Sequence, residues 1–567
     1  MRYSALATDY DGTFAHHGVA SDKTIEALIR VRESGRKTLL VTGRRLDDLF
    51  NTFSRVDVFD LIVAENGALL YEPATEREEV IAEAPPAEFA QALADVGVNP
   101  LDRGRVIVAT LEDQKEAVLE TITKLSLELQ MIFNKGSLMI LPAGVNKASG
   151  LAAALTRLQL SAHNVVGLGD AENDHAFLSA CECGVAVANA LDALKERADI
   201  VTAGRHGHGV IEIAEGMLEN DLASFGDKLS RHDLLLGALE EGEGELKLPV
   251  FGTNLLIAGP SGAGKSTLMT GALERLVSAR YQVCVLDPEG DYHDFPNSVS
   301  LGDAKHPAPI DGVLRALELP HQTVVVNMVG VPLENRPDYF ETLLPRLADM
   351  QARVGRPHRI IADEVHHVAP QDRRESGLPE FSGLLAATMN PASIARPLLR
   401  KFDRIVAVGE NAGKVIKAFA EAAEAGDVNP GDLPLERGEA ALWHAGEKGE
   451  PVRFRVASCE TPRTRHSRKY AEAVLTPDRS FYFRGPDQKL NLRASNLITF
   501  IQMMEGVDDD TFVFHLKGHE YSQWFRENIK NEELAETALE IEDGTLDPAE
   551  AKASLKRAIE ERYTLPG

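Results

Sequence analysis

The sequence predicts an α/β chain with two parallel-sheet domains in succession, followed by a small α+β module. Three observations predict it. Short apolar runs ending in polar loops alternate with amphipathic segments from residue 1 to about 218, and the alternation resumes from 250 to about 457. Between them, 219–248 turns polar and acidic (LSRHDLLLGALEEGEGELKLP), which predicts a linker helix. From about 463 an aromatic strand, SFYFRG, precedes segments rich in Glu, Lys and Ala. The expected units are therefore 1–218, the linker at 219–248, 249–460, and 463–567.

In the first unit, SALATDYDG, RKTLLVTGR, DLIVAENGA and HNVVGLGD read as strands, each ending in a polar loop. SDKTIEALIRVRESG carries helical spacing and stops at glycine. An insert at about 80–143 holds two helix-like stretches and the strands RVIVAT and LMILP, which makes it a small α+β cap. In the second unit the strands are NLLIAG, YQVCVLD, QTVVVNM, HRIIADE, GLLAATM and DRIVAVG.

At 44% hydrophobic and 26% charged residues, the chain of 567 residues has the balance of a soluble globular protein rather than a disordered one. No apolar run approaches roughly 20 residues, so no membrane partner is expected. The opening MRYSALATDYDGT lacks the regions of a signal peptide. Four cysteines do not build a disulfide framework. A cytoplasmic chain with reduced thiols is expected. The net charge of −27 excludes coating nucleic acid through broad positive surfaces, though not a local basic channel formed in an oligomer.

The first strand delivers Asp9, Asp11, Gly12 and Thr13 to its C-terminal end, where open α/β sheets bind ligands. Of two carboxylates one residue apart, one can attack phosphorus while the other handles protons. The next strand ends in Thr42-Gly43-Arg44, whose hydroxyl and backbone N–H groups at a helix start suit a phosphate oxygen. Lys147, opening a helical pattern, can balance the charge of a phosphoryl group in flight. Asp170, Asn173 and Asp174, on the loop after another strand, offer hard oxygen ligands for Mg2+. Each piece alone reads as an ordinary turn or a solvated surface charge; four in this order, each beside a strand end, point to one phosphate site.

These motifs, with ENGA at 65–68 and GVAVANALDALKERADIVT at 184–202, resemble the haloacid dehalogenase (HAD) superfamily in its Cof-like branch, over about 1–218. The resemblance implies a Rossmann-like phosphatase in which Asp9 forms an aspartyl-phosphate and Asp11 is the general acid/base. It implies phosphate binding at Thr42 and Lys147. Magnesium would be held by Asp9, the Asp11 carbonyl and Asp170, with Asn173 and Asp174 in support. Asn134-Lys135 in the cap reads equally as a substrate contact and as a simple turn between strands.

In the second unit, NLLIAGPSGAGKSTLMTGAL is strand, glycine loop, helix, and fits G-x-x-x-x-G-K-[ST]. Gly259, Gly262 and Gly264 let the loop fold around phosphates of ATP. Lys265 reaches the outer phosphates, Ser266 can ligate Mg2+, and Thr267 follows in the same turn. HRIIADEVHH ends in Asp363, expected to hold the magnesium shell, and Glu364, expected to polarise the attacking water. His366 and His367 read as local sensor or packing residues rather than metal ligands. With VLDPEGDYHDFP, this set resembles the HerA/FtsK branch of RecA-like motor ATPases, over about 250–457. Met389 stands where that branch often places a sensor glutamine, leaving Thr388 and Asn390 as the polar candidates. The resemblance implies a homo-oligomeric ring, with a hexamer as the best single number. Arg373, Arg374, Arg396, Arg400 or Arg404 would then complete a neighbour's site.

The third region has Arg465, Arg468 and Lys469 as candidate phosphate contacts and Trp524 as a candidate base-stacking platform; a packing module with a buried tryptophan is the favoured reading. The leading functional expectation is an enzyme that hydrolyses a phosphomonoester, on a small molecule or nucleotide, at Asp9 and ATP at Lys265. A nucleic-acid machine, or a kinase–phosphatase pair, are the alternatives.

Overall fold

The computed structural model describes all residues except 135, 240–243, 261, 374–377, 427, 432, 448, 461–474, 476, 478, 487, 530, 545–546 and 563–567. Lys135, Arg374, Arg465, Arg468 and Lys469, singled out above, lie outside the described residues.

The first sheet runs, among the described residues, in the order Ile200–Val201, Cys183–Ala186, Val165–Gly169, Ala5–Thr8, Lys37–Val41, Leu61–Ala64, Leu69–Glu72, Arg77–Val80. The strands from Ile200–Val201 to Leu61–Ala64 are parallel, and the last two return antiparallel. Ala5–Thr8 is buried along its whole length because helices cover both faces of the sheet. One of them, Asp22–Glu33, starts where the Ser21 side chain accepts from Thr24 N and buries Ile25, Leu28 and Val31 at helical spacing. Each such side chain contributes about 2 kcal/mol by leaving water. The cap is an antiparallel sheet, ordered Asp102–Arg103, Val108–Leu111, Ser137–Pro142, Leu129–Asn134, against helices Ala87–Asp95 and Lys115–Lys124. Phe89, Leu93, Val118 and Ile140 fill the space between.

The second sheet is ordered Glu245–Leu248, Leu234–Leu239, Val452–Val456, Glu439–His444, Arg404–Val408, Leu255–Ala258, Leu384–Thr388, Arg359–Ala362, Val283–Asp287, Thr323–Asn327, Ser298–Leu301. Its parallel part begins at Arg404–Val408, with Leu255–Ala258 well inside it. The linker helix expected at 219–248 is not what forms. After helix Gly207–Asn220 the chain makes a short 3-10 turn at Ala223–Lys228 and then two strands that extend this sheet. Leu234, Leu236 and Leu248 are buried at strand alternation. Gly237 is required by packing, since a Cβ there would lie 2.0 Å from the Arg455 carbonyl oxygen of the paired strand.

A polar seam joins the two units. The His163 ring stacks on Tyr281 at 3.6 Å between centroids. It also bonds Glu182 at 2.8 Å and the Ala279 carbonyl at 2.7 Å. Tyr281 Oη donates to the same Glu182, and Asn164 meets His358 at 3.1 Å.

The C-terminal module pairs Phe481–Phe483 with Leu492–Ala494 and packs them under helices Leu497–Gly506, Asp509–Lys517, Glu520–Glu527, Glu532–Glu542 and Pro548–Arg562. Trp524 is 4% exposed and stacks on Phe500, so it is core rather than a platform for a base.

Candidate active sites

Thr8 is in register with Leu40 on one side and Leu168 on the other. The loops carrying Asp9, Thr42 and Asp170 therefore leave the sheet at nearly one level. Asn146 caps the helix Lys147–Leu158 by accepting from Ala148 N and Ser149 N, which places Lys147 at its first position. Lys147 Nζ lies 2.5 Å from Asp9 Oδ1 and 2.6 Å from Asp174 Oδ1, and its side chain is 1% exposed. Burial opposes the ammonium charge, but Asp174 and Asp9 outweigh it and raise the Lys147 pKa. Burial pushes the Asp9 carboxyl up, and Lys147 pulls it part of the way back.

Asp174 Oδ2 accepts from Asp170 N at 2.9 Å and Ala171 N at 3.0 Å. Asp170 Oδ1 accepts from Thr13 Oγ1 at 3.3 Å. One oxygen from each of Asp9, Asp170 and Asp174 lies within 4.8 Å of the others. Asn173 donates to Asn66 Oδ1, while Asn173 Oδ1 and Asn66 Nδ2 are buried without a partner. This donor set fits magnesium: hard carboxylate oxygens, with an orphaned amide oxygen beside them.

Thr42 is buried, but two of the backbone N–H groups expected to suit a phosphate oxygen are taken within the protein. Thr42 N donates to Val63 O, continuing the strand pairing, and Arg44 N donates to Thr42 Oγ1. Two site residues were missed. Arg44 forks onto Asp11, its Nε 2.5 Å from Oδ2 and its second terminal nitrogen 2.7 Å from Oδ1. The signal was the cation at the end of Thr42-Gly43-Arg44. Glu65, fully buried with φ 51°, accepts from Arg105 N, Val106 N and Ile107 N at 2.7–3.0 Å, tying the cap to the core. It opens the ENGA segment at 65–68, but nothing local in that segment marks its contact with the cap. The cap strand Leu129–Asn134 packs on the turn Glu172–Asp174.

In the second unit, a Cβ on Gly259 would meet the Val408 carbonyl oxygen at 2.3 Å. Gly262 and Gly264 have φ of 77° and 105°. Gly264 precedes helix Lys265–Ser278, with Ser266 and Thr267 half-buried in its first turn. Lys265 Nζ donates to the carbonyls of Gly259 and Pro260 at 2.9 and 3.1 Å.

Asp363 follows the strand Arg359–Ala362 and accepts from Glu364 N at 2.9 Å and Tyr292 Oη at 3.4 Å. Its carboxyl is pushed up to about 8, first by burial and then by Glu364, Asp291, Glu289 and Asp287. Glu364 sits at φ 41°, a left-handed conformation costing about 1–3 kcal/mol for a side-chain residue. Its carboxylate faces His366 Nδ1 at 3.5 Å, and His366 in turn meets Thr388 Oγ1 at 3.2 Å. Burial, with His366 next, lowers His367 to about 4. Neither histidine belongs to a metal-holding group among the described residues. Met389 is 41% exposed and Asn390 Oδ1 caps Ala392 N, so Thr388 is the polar group that reaches toward Glu364 through His366. Arg373 is bound by Asp338 and Glu341, and Arg400 by Glu424 at 2.7 Å. Arg396 is exposed, and Arg404 opens its strand.

Residues 6–99 and 102–213 match the family model of haloacid dehalogenase-like hydrolases. A protein named phosphoglycolate phosphatase from Methanothermobacter thermautotrophicus is 30% identical over 217 residues, which span 96% of that protein and 37% of this chain. The chain belongs to the haloacid dehalogenase-like hydrolases through this N-terminal unit. Another HAD relative of the same printed name, from Methanosarcina acetivorans, is 25% identical over 225 residues, 99% of that protein and 39% of this chain. A haloacid dehalogenase-like hydrolase from Bacteroides thetaiotaomicron is a structural neighbour at 21% identity and TM-score 0.34, covering 38% of this chain and 99% of that one. Residues 237–342 match the model of the Helicase HerA central domain. The chain thus joins a HAD hydrolase unit to a HerA-like P-loop unit. No helix among the described residues is long and apolar enough to cross a membrane.

Proposed function

We propose that the chain is bifunctional: a magnesium-dependent phosphomonoesterase acting through an aspartyl-phosphate on Asp9, and an ATPase at Lys265. The observation that carries the first activity is the buried Asp9–Lys147–Asp174 chain. Magnesium, held by Asp9, the Asp11 carbonyl and Asp170, would supply charge neutralisation for the phosphate dianion. Asn173 and Asp174 support it, Asp174 by fixing Lys147 and the Asp170 loop.

Asp9 attacks phosphorus, and the bond from phosphorus to the ester oxygen breaks. Asp11 gives its proton to the departing alkoxide. It then takes a proton from water as that water attacks the aspartyl-phosphate, which releases inorganic phosphate and restores Asp9. Thr42 Oγ1 and Lys147 hold the phosphoryl oxygens throughout. Arg44 fixes the carboxylate of Asp11 in this structure, so substrate entry re-partners one of the two.

The relatives' names make phosphoglycolate the first substrate to test. A screen over phosphoglycolate, sugar phosphates, nucleotides and DNA ends is expected to show one small phosphomonoester turned over best. Turnover of DNA ends alone would contradict a small-molecule substrate.

In the P-loop unit Lys265 binds the outer phosphates, with Ser266, Thr267 and the backbone of Gly259, Gly262 and Gly264 completing the cradle. Glu364 orients and polarises water, and Asp363 beside it supports the magnesium shell. The HerA family match also favours a second reading, in which this unit works on nucleic acid; stimulation of ATP hydrolysis by DNA or RNA tests it. Either way the unit is expected to act as a homo-oligomer, a hexamer, in the cytoplasm. ATP turnover per chain should rise with protein concentration. A monomer by solution mass, with full concentration-independent turnover, would remove the ring.

A further inference from the structure

The C-terminal module reaches the P-loop unit beside the carboxylates that surround Asp363. Arg479 Nη1 lies 3.2 Å from Glu289 Oε1, and the Glu289 side chain is only 10% exposed. Glu289 belongs to a tight loop organised by Asp287, which accepts from Gly290 N at 2.7 Å, Asp291 N at 2.9 Å and Tyr292 N at 2.8 Å. Tyr292 Oη, at the end of that loop, donates to Asp363. A continuous chain of contacts therefore runs from Arg479 through Glu289 and the loop to Asp363 and its neighbour Glu364.

Arg479 is itself held firmly. Its backbone carbonyl accepts from Trp524 Nε1 at 2.9 Å, and Trp524 is locked in the module core against Phe500 and Phe481. Asp287, Glu289, Asp291 and Glu364 gather carboxylates around Asp363. A guanidinium inserted there offsets that repulsion and fixes one member in place.

We propose that Arg479 is a positioning residue for ATP hydrolysis, by which the C-terminal module holds the Glu289 loop and the Asp363–Glu364 pair in register for turnover. This rests on the ATPase reading above, so wild type and Lys265→Ala are measured alongside. In the full-length chain, Arg479→Ala is expected to lower kcat for ATP on the order of tenfold, with KM for Mg-ATP within about twofold. Arg479→Lys, which keeps the charge but not the planar guanidinium, is expected to recover part of the loss. Glu289→Gln should lower kcat similarly, and adding it to Arg479→Ala should cost little more, because the two act as a pair. Phosphomonoester hydrolysis at the HAD site should be unchanged in each, showing an intact chain. Turnover insensitive to Lys265→Ala would overturn the ATPase reading and this proposal with it. Turnover that depends on Lys265 but is unaffected by Arg479→Ala would overturn the positioning role alone. So would independent, multiplying losses in the Arg479 and Glu289 pair, or Arg479→Lys falling as far as Arg479→Ala.

Discussion

Replacing Asp9 by Asn is expected to lower phosphomonoester hydrolysis on the order of 10,000-fold or more, because it removes the nucleophile itself. ATP turnover should stay at the wild-type rate. Asp9 leaves the first sheet beside Asp170, whereas Lys265 and Asp363 leave a different sheet. Asn keeps the size of Asp9 but removes the charge that pairs with Lys147 at 2.5 Å. Lys147 keeps Asp174, so the ammonium is not left without a buried partner. Loss of ATPase activity with phosphatase activity spared would reverse the assignment. Parallel assays of inorganic phosphate release from the two substrates decide it.

Glu364→Gln is expected to slow ATP hydrolysis roughly 100- to 1,000-fold while nucleotide binding persists, since the lost group acts on water rather than on the phosphates. Lys265→Ala should instead weaken binding. The strained backbone at Glu364 supports the assignment: a side-chain residue held at φ 41° between Asp363 and His366 is kept there by its surroundings. Gln has the same backbone preferences, so the variant tests the carboxylate and not the strain. Comparable single-turnover rates in Glu364→Gln and wild type, with ATP bound in both, would take Glu364 out of the reaction.

Much of this was legible in the sequence where the information is local. Asp9, Asp170, Lys265 and Asp363 each sit within a few residues of an apolar strand, a capped helix start or a glycine loop, and strand ends are where open sheets bind ligands. What escaped depends on partners far along the chain. Arg44 matters because Asp11, 33 residues before it, folds onto its guanidinium. Glu65 matters because the cap returns three amides to it some 40 residues later. Arg479 finds Glu289 across 190 residues. The run Leu234-Leu235-Leu236 reads as helical on its own. It becomes strand because Val452–Val456 supplies an edge to pair with and a core that takes alternate side chains. Trp524, by contrast, is the buried tryptophan that the favoured sequence reading expects, with Phe500 stacked on it in the module core.

The most direct test of two separate phosphoryl sites is to trap the intermediate and find its address. In Asp11→Asn, an aryl phosphate carries a leaving group that departs without a proton, so attack by Asp9 proceeds while water attack on the product is slowed. Acid quenching and peptide mapping after brief exposure to the radiolabelled ester should place the label on the peptide containing Asp9. The same amount should appear whether or not Lys265→Ala is also present. Label on any other peptide, no labelled chain while the ester is still consumed, or labelling abolished by Lys265→Ala would contradict the account.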